Sequence, residues 1–313
     1  MTMQHVSRIE TARESMGARM VPEAIAPRRL LCATDLSARS HRAVLRAMAI
    51  AKPLGAQVTL LHVRDPQQLA DGSIHDQADL AQPLTANDLP SDQAVDVQVR
   101  AGNYLETIAR VARQMQADLI VLGSQRRRPL SCLVGTTAEQ ILALSGIPAL
   151  IVNLPSVARY RGVVIAAELS DRFIQVVRTA ASLRLLEGEP ISVVHGFESP
   201  YRGPLYAEGF NLHAAQRNME EWERLARARL LRNLDMAGVE SSRFRLVFHQ
   251  ARPLRAIQRV VRSVQPDLLV IGTKDRSVFN RLARGSVAND TLRSAECDIL
   301  VAASQSAHEL SRH

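Results

Sequence analysis

The feature that most constrains how this chain can fold is a segment that occurs twice. It reads ADLIVLGSQRRRPLSCLVGTTAEQ in residues 117–140 and PDLLVIGTKDRSVFNRLARGSVAND in residues 266–290. Each copy has the same order of an acidic residue, a short apolar run, a glycine, a basic loop, a glycine with a hydroxyl residue, and a helix-like segment. The apolar runs have the length of buried parallel strands and are too short for helices. The repetition therefore predicts two copies of one fold.

The duplication extends toward the N-terminal side of each copy. Asp35 follows the first apolar run of the first copy, and Glu168 follows the first run of the second copy. His62 and His195 occupy matching places in the next apolar run. Both pairs are 133 positions apart (168 − 35 and 195 − 62), whereas the final glycines of the two repeated segments differ by 150 (285 − 135). The second copy is therefore longer in its middle.

Strands that alternate with helices, and apolar runs without a polar face, are typical of doubly wound parallel α/β domains. The predicted strands cover residues 30–34, 57–63, 94–100, 119–122 and 149–152 in the first copy, and 162–167, 191–197, 244–249, 268–271 and 298–301 in the second. The predicted helices cover residues 39–54, 104–115, 136–144, 212–236 and 254–264. We expect two domains, 28–154 and 160–304, a flexible N-terminal tail at 1–27, a C-terminal tail at 305–313, and a long surface loop over 64–92.

The extra length of the second copy contains an apolar stripe along the predicted helix over 212–236. Leu212, Met219 and Trp222 lie on this stripe. Such a stripe is typical of a face that packs on its own domain, and a partner-binding face is the alternative. His62 and His195 are interpreted as core histidines rather than as ligands or bases.

Composition narrows the classes of function. The 39 basic and 31 acidic residues leave a net charge of +8, which raises the hypothesis of a nucleic-acid-associated protein. The basic residues are scattered, and an aromatic content of 4% offers few rings for base stacking, so we do not expect nucleic acid as a partner. The cysteines Cys32, Cys132 and Cys297 show no metal-ligand spacing and are expected to be buried small hydrophobes. With no signal-like segment and no apolar run that could span a membrane, we expect a cytoplasmic protein without membrane contact.

Three short motifs carry a resemblance to a known family. They are ATDLS at residues 33–37, LLHV at residues 60–63, and strands ending in Val-x-Gly before a loop to Gly-Thr or Gly-Ser. In this order and in both copies they resemble the universal stress protein family, here in tandem. The resemblance implies two flavodoxin-like, Rossmann-like domains with five-stranded parallel sheets of strand order 3-2-1-4-5. It also implies that the copies pair through their last strands as an intramolecular pseudo-dimer, and it leaves a homodimer open.

The resemblance also implies candidate residues for binding ATP or AMP. ATP-binding members carry G-x2-G-x9-G-[S/T], an aspartate after the first strand and a valine after the second. The first copy of this chain keeps or approximates the pattern with Asp35, Val63, Gly123, Arg126 in place of the second glycine, Gly135, Thr136 and the adjacent Thr137. The second copy has Glu168 for the aspartate, Gly196 for the valine, Gly272, Asp275 in place of the second glycine, Gly285 and Ser286.

Neither copy matches the motif completely. The loop of the first copy is one residue short, since Gly123 and Gly135 are 12 positions apart and the motif requires 13. Arg126 could offer its guanidinium to a phosphate, whereas Asp275 would place negative charge against one. We therefore expect the first copy to bind nucleotide more tightly than the second, which we interpret as degenerate. Asp35 as a turn former, and residues 126–128 as a solvated basic loop, are the structural alternatives.

Enzyme motifs such as a P-loop, a nucleophile elbow or a zinc-binding pair are missing from the sequence. Three hypotheses remain. The first is a non-enzymatic stress-response regulator that acts through protein contacts, with weak or degenerate adenine-nucleotide binding. The second is a true ATP or AMP sensor that uses the first copy, and the third is a nucleic-acid-associated basic protein.

Overall fold

A computed structural model describes residues 28–64, 95–123, 138–155, 159–188, 190–198, 212–272 and 297–302. Within these ranges, the side chains of residues 38, 39, 138, 139 and 212–215 are not described. Both expected tails and nearly all of the expected loop over 64–92 lie outside the described residues. So do the glycine-rich loops that were expected to contact phosphates.

The described elements follow the predicted order, and each predicted strand is confirmed to within one residue at either end. The first half contains β1 Arg29–Thr34, α1 Ala38–Leu54, β2 Gln57–Arg64, β3 Val95–Ala101, α2 Tyr104–Gln114, β4 Leu119–Gly123, α3 Ala138–Ser145 and β5 Ala149–Val152. The second half contains β6 Val163–Ala166, α4 Arg172–Ser182, β7 Ile191–Phe197, α5 Leu212–Ala237, β8 Phe244–Gln250, α6 Pro253–Val264, β9 Leu268–Gly272 and β10 Asp298–Ala302.

The ten strands form one continuous sheet in the order β3-β2-β1-β4-β5-β10-β9-β6-β7-β8. Each half has the expected order 3-2-1-4-5 and all its pairs are parallel. The expectation of two separate five-stranded sheets was wrong, because β5 and β10 pair antiparallel, with Leu150 opposite Leu300. These short strands are fully buried, and leaving either one unpaired would expose an apolar edge with free backbone groups. The expected pseudo-dimer is therefore built as a single sheet.

The acidic residue that opens each repeated segment anchors the neighbouring strand. Asp118 accepts hydrogen bonds from the backbone N–H groups of Arg28 and Arg29 at 2.7 and 2.9 Å. Asp267 accepts one from Arg161 N–H at 2.8 Å in the second half. The repeated aspartate thus stabilises the start of β1 and the segment that leads into β6.

Helix α5 packs on its own half, as predicted. Its Ala226, Leu230 and Leu234 are buried, and the Trp222 ring centroid lies 4.1 Å from that of Phe197 and 5.8 Å from that of His195 on β7. The expected contribution of the Leu212 side chain lies outside the described residues. The apolar stripe is therefore mainly a packing face.

A polar cluster that we call the Asp298 clamp joins the two halves beside the β5–β10 pair. The fully buried carboxylate of Asp298 lies 3.1 Å from Arg46 Nε on α1 and accepts a 2.7 Å hydrogen bond from the Tyr160 hydroxyl. The backbone N–H groups of Asn153 and Leu154 donate to its other oxygen at 2.8 and 2.9 Å. The clamp therefore ties the first half, the connecting segment and β10 to one carboxylate.

The clamp stands on one side of the pseudo-twofold axis. The offsets of the repeat place Thr179 at the position of Arg46 (46 + 133) and Pro148 at the position of Asp298 (298 − 150). Neither residue can supply a charge, so the second ion pair that symmetry would allow is missing. Burial raises the pKa of Asp298, and the hydrogen bond from Leu154 and the charge of Arg46 offset this only in part.

Candidate functional site

The candidate site lies at the carboxyl edge of the first half, where the strand order reverses between β1 and β4. These strands are neighbours, with Ala33 opposite Leu122. In open parallel sheets, ligands bind in the crevice at such a switch point. Asp35 follows β1, Val63 lies near the end of β2, and Gly123 ends β4. The fold therefore places three of the predicted nucleotide residues at one edge of three adjacent strands.

The Asp35 carboxylate is exposed and is held by the turn that leads into α1. It accepts a 3.0 Å hydrogen bond from Ser37 N–H, while Ser37 caps α1 by accepting from Ser40 N–H. Partial desolvation acts to raise the pKa of Asp35, but hydrogen bonds from Ser37 and Ser40 outweigh it and leave the pKa below its ordinary value. Asp35 thus forms the turn and also presents an ionised acceptor.

The residue after Asp35 has a strained backbone. Leu36 has φ of 62°, a left-handed conformation that costs free energy for a residue with a side chain, and its own side chain is 39% exposed. Its N–H donates to Thr34 Oγ1 at 3.1 Å, which helps to hold this geometry. Leu169 at the matching place in the second half is not among the positive-φ residues of the described structure. Strain of this kind is typical of functional turns, and at this turn it is present in the first half and not at Leu169.

Val63 and Tyr104 form a partly exposed apolar wall beside Asp35. Both pack on the same buried cluster, which includes Leu31 and Leu61. Burial, followed by the negative charge of Asp35, raises the pKa of Tyr104 to about 12. Tyr104 was not among the predicted site residues, because no motif in the sequence marks it. The hydroxyl therefore stays protonated beside an ionised carboxylate.

Most of the residues that were predicted to bind phosphate lie outside the described residues, so their role stays a prediction. Gly123 is half-buried at the end of β4. Arg126, Gly135, Thr136 and Thr137 lie outside the described residues. The same holds for Gly285 and Ser286 in the second half, where Gly272 ends β9.

In the second half, the start of α6 packs closely against β7 at the position that corresponds to Val63. Gly196, at the valine position, is buried, and a Cβ placed there would lie 2.7 Å from Pro253 Cα and 3.0 Å from Ala251 O. These are backbone atoms, so any side chain at this position would push the start of α6 off the strand. Glu168, at the aspartate position, accepts a 3.0 Å hydrogen bond from the Ser170 hydroxyl. Gly196 therefore offers no side chain at the position where Val63 offers an apolar one in the first half.

The two repeated histidines make the same structural contact. His62 Nδ1 lies 2.9 Å from Thr34 O, and His195 Nδ1 lies 2.8 Å from Ala167 O. Because a carbonyl oxygen can only accept, each Nδ1 carries a proton and ties β2 or β7 to the end of the neighbouring strand. The interpretation as core histidines is consistent with these contacts, which occur in both halves whether or not the aspartate is present.

The described residues contain no group of three or more His, Cys, Asp or Glu side chains that could bind a metal ion. Cys32 and Cys297 are buried free thiols, and burial raises the pKa of each to about 12, as expected for small core residues. Cys132 lies outside the described residues. Across the part of the chain that the structure describes, no helix is long and apolar enough to cross a membrane.

Three comparisons with known proteins are consistent with this architecture. The Stress response protein NhaX of Bacillus subtilis is 28% identical over 161 residues, an alignment that covers 40% of this chain and 97% of NhaX. A functionally unknown protein from Pseudomonas aeruginosa has a solved structure with a TM-score of 0.59 and 16% identity, covering 90% of this chain and 94% of that one. A universal stress protein from Archaeoglobus fulgidus has a TM-score of 0.56 and 17% identity, covering 88% and 96%. These two structures share the fold of both halves.

The profile described as Universal stress protein family matches twice, over residues 27–153 and 159–303. The two matches follow the two halves of the sheet and together span most of the chain. This protein therefore belongs to the universal stress protein family and carries two of its domains in tandem.

Proposed function

We propose that this protein is a non-enzymatic regulator of the stress response that acts through protein contacts in the cytoplasm. Its first half binds an adenine nucleotide, ATP or AMP, and its second half does not. The domains extend over residues 28–154 and 160–304. The second half serves as a fixed partner that completes the sheet.

The observation that carries the proposal is the difference between Val63 and Gly196. Val63 lies near the end of β2 and packs with Tyr104 on one buried cluster, and Asp35 follows the neighbouring strand β1, whose Thr34 lies opposite His62. At Gly196 the backbone of residues 251–253 fills the matching space. A side chain cannot be added there without moving the start of α6, so the second half has no apolar side chain at this position to pack against a base.

Weak binding follows from the sequence of the phosphate loop. The loop between Gly123 and Gly135 is one residue short of the motif, and Arg126 takes the place of a glycine. A side chain at this position crowds the backbone N–H groups that cradle phosphate. The charge of Arg126 would compensate in part, since a guanidinium group attracts phosphate.

The test is calorimetric titration of AMP and ATP into the intact chain. Separate halves would each expose β5 or β10 as a bare edge, so the whole chain is the proper sample. We expect one site per chain, loss of binding in Asp35→Ala, and unchanged binding in the matched control Glu168→Ala. Two sites per chain, or loss of binding in Glu168→Ala, would contradict the proposal. Production of ADP from ATP by the purified chain would contradict the non-enzymatic assignment.

A further inference from the structure

Tyr104 has a fixed position next to the end of β2. The N–H of Gly102, just before α2, donates to Arg64 O at 3.1 Å, which ties the β3–α2 connection to β2. Asn103 then caps α2 by accepting from the N–H groups of Leu105 and Glu106 at 3.0 and 3.2 Å. Because hydrogen bonds hold the backbone on both sides of Tyr104, the first residue of α2 has a fixed position relative to β2.

The polar end of Tyr104 is available to a ligand. Its half-buried ring packs with Val63 on one apolar cluster, close enough to Asp35 for that charge to act on the phenol. Among the described residues, no hydrogen bond to the Tyr104 hydroxyl is found. A phenol hydroxyl that the fold leaves without a protein partner can donate one hydrogen bond to a ligand. Here the hydroxyl is a donor beside the Asp35 acceptor.

The second half has no equivalent group. The repeat places Pro253 at the position of Tyr104, since 253 − 104 equals 149, the same offset that relates Asp267 to Asp118 (267 − 118). Pro253 has no polar side chain and lies against Gly196. The donor and the acceptor therefore occur together in the half that carries Val63 and not in the half that carries Gly196.

We infer that Tyr104 reads the edge of the bound base: its hydroxyl donates to a ring nitrogen next to the exocyclic amino group from which Asp35 accepts. This inference rests on the proposed function. Adenine presents an amino donor flanked by ring-nitrogen acceptors, which complements a carboxylate beside a hydroxyl. A 6-oxo purine presents an acceptor toward the Asp35 carboxylate and leaves it unpaired. Tyr104 is thus a specificity-determining residue of the first half.

The test is a double-mutant cycle in the full-length chain, which removes the Tyr104 hydroxyl from the protein and one ring nitrogen from the ligand and compares the binding free energies. AMP, 1-deaza-AMP and 7-deaza-AMP are titrated into wild type and into Tyr104→Phe, which keeps the ring and loses only the hydroxyl. We expect AMP to bind Tyr104→Phe about 2- to 10-fold more weakly, which is the usual net effect of one hydrogen bond. One of the two deaza analogues should bind wild type more weakly than AMP does, by the same factor. Its affinity should not fall further in Tyr104→Phe.

The outcomes separate this inference from the proposed function. If Asp35→Ala abolishes AMP binding but Tyr104→Phe leaves it unchanged, only the assignment of Tyr104 is overturned. The assignment also fails if both deaza analogues lose affinity in Tyr104→Phe as much as AMP does, because the hydroxyl then pairs with neither ring nitrogen. Failure of wild type to bind AMP would overturn both. Equal melting temperatures for wild type and Tyr104→Phe would show that the comparison is between folded proteins.

Discussion

Breaking the Asp298 clamp should destabilise the whole sheet. Arg46 and Asp298 are 1% and 0% exposed, and Arg46 Nε lies 3.1 Å from the carboxylate. Replacing Arg46 by Met keeps an apolar stem of similar length and removes the charge. The carboxylate would retain Tyr160, Asn153 and Leu154 as donors but would lose its counter-ion. Removing one partner of a buried ion pair typically costs about 3–5 kcal/mol.

A further loss comes from the Tyr160 ring, whose centroid lies 4.4 Å from the Arg46 guanidinium carbon. Such a cation–π contact contributes about 0.5–2 kcal/mol. We therefore expect Arg46→Met to lower the free energy of unfolding by about 4.5–6 kcal/mol, the centre of the ion-pair range plus the cation–π contribution. Asp298→Asn should cost a similar amount because it leaves the Arg46 charge buried. The double variant should cost clearly less than the sum, since a buried pair replaced as a whole is often close to neutral.

The assay is urea denaturation followed by circular dichroism, with the coupling energy taken from the double-mutant cycle. Arg42→Met is the matched control. Arg42 lies one turn earlier on α1, is exposed, and donates to Asn153 O at 3.2 Å, so its loss should cost less than about 1 kcal/mol. If Arg46→Met costs no more than Arg42→Met, or if the two clamp variants are additive, the clamp does not hold the halves together.

Three further predictions follow from the described contacts. Trp222→Ala should lower the free energy of unfolding by about 3 kcal/mol, at the lower end of the range because Trp222 is half-buried; unchanged stability would make α5 a partner surface instead. Gly196→Val should destabilise by about 1–3 kcal/mol, seen as a lower melting temperature, because its side chain meets the Pro253 backbone; a stable variant would show that α6 moves freely. The raised pKa of Asp298 means that its contribution to stability is fully present below the ordinary carboxyl pKa and is lost as pH rises through the folded value. Asp298→Asn should therefore lose more stability, relative to wild type, at pH 4 than at pH 7, and a pH-independent difference would refute the assignment.

The local pattern of apolar residues and glycines was sufficient to predict the strands and the duplication of the fold. The runs of β4 and β9 are apolar on both faces, so their length and flanking glycines predicted buried parallel strands correctly. The fusion of the sheets was not predicted as such, because whether β5 and β10 pair directly depends on the approach of two finished domains. Helix α4 was also not placed, although its buried residues recur on one face.

The contacts that distinguish the two halves could not be predicted from the sequence pattern. Gly196 was recognised as a departure from the motif, but its meaning depends on Pro253, which is distant in sequence and adjacent in space. Tyr104 had no motif to mark it. Arg46 resembled the other scattered arginines, and only the fold shows that it is buried against Asp298. Residues whose roles come from long-range contacts carry no local signal.

The central claim is that the first half of this tandem protein binds an adenine nucleotide and the second half does not. Native mass spectrometry of the intact chain with a saturating excess of AMP tests this most directly, because it counts bound nucleotides per chain. The account predicts a single added AMP, which disappears in Asp35→Ala and persists in Glu168→Ala. Two added nucleotides per chain, or one that persists in Asp35→Ala, would contradict it.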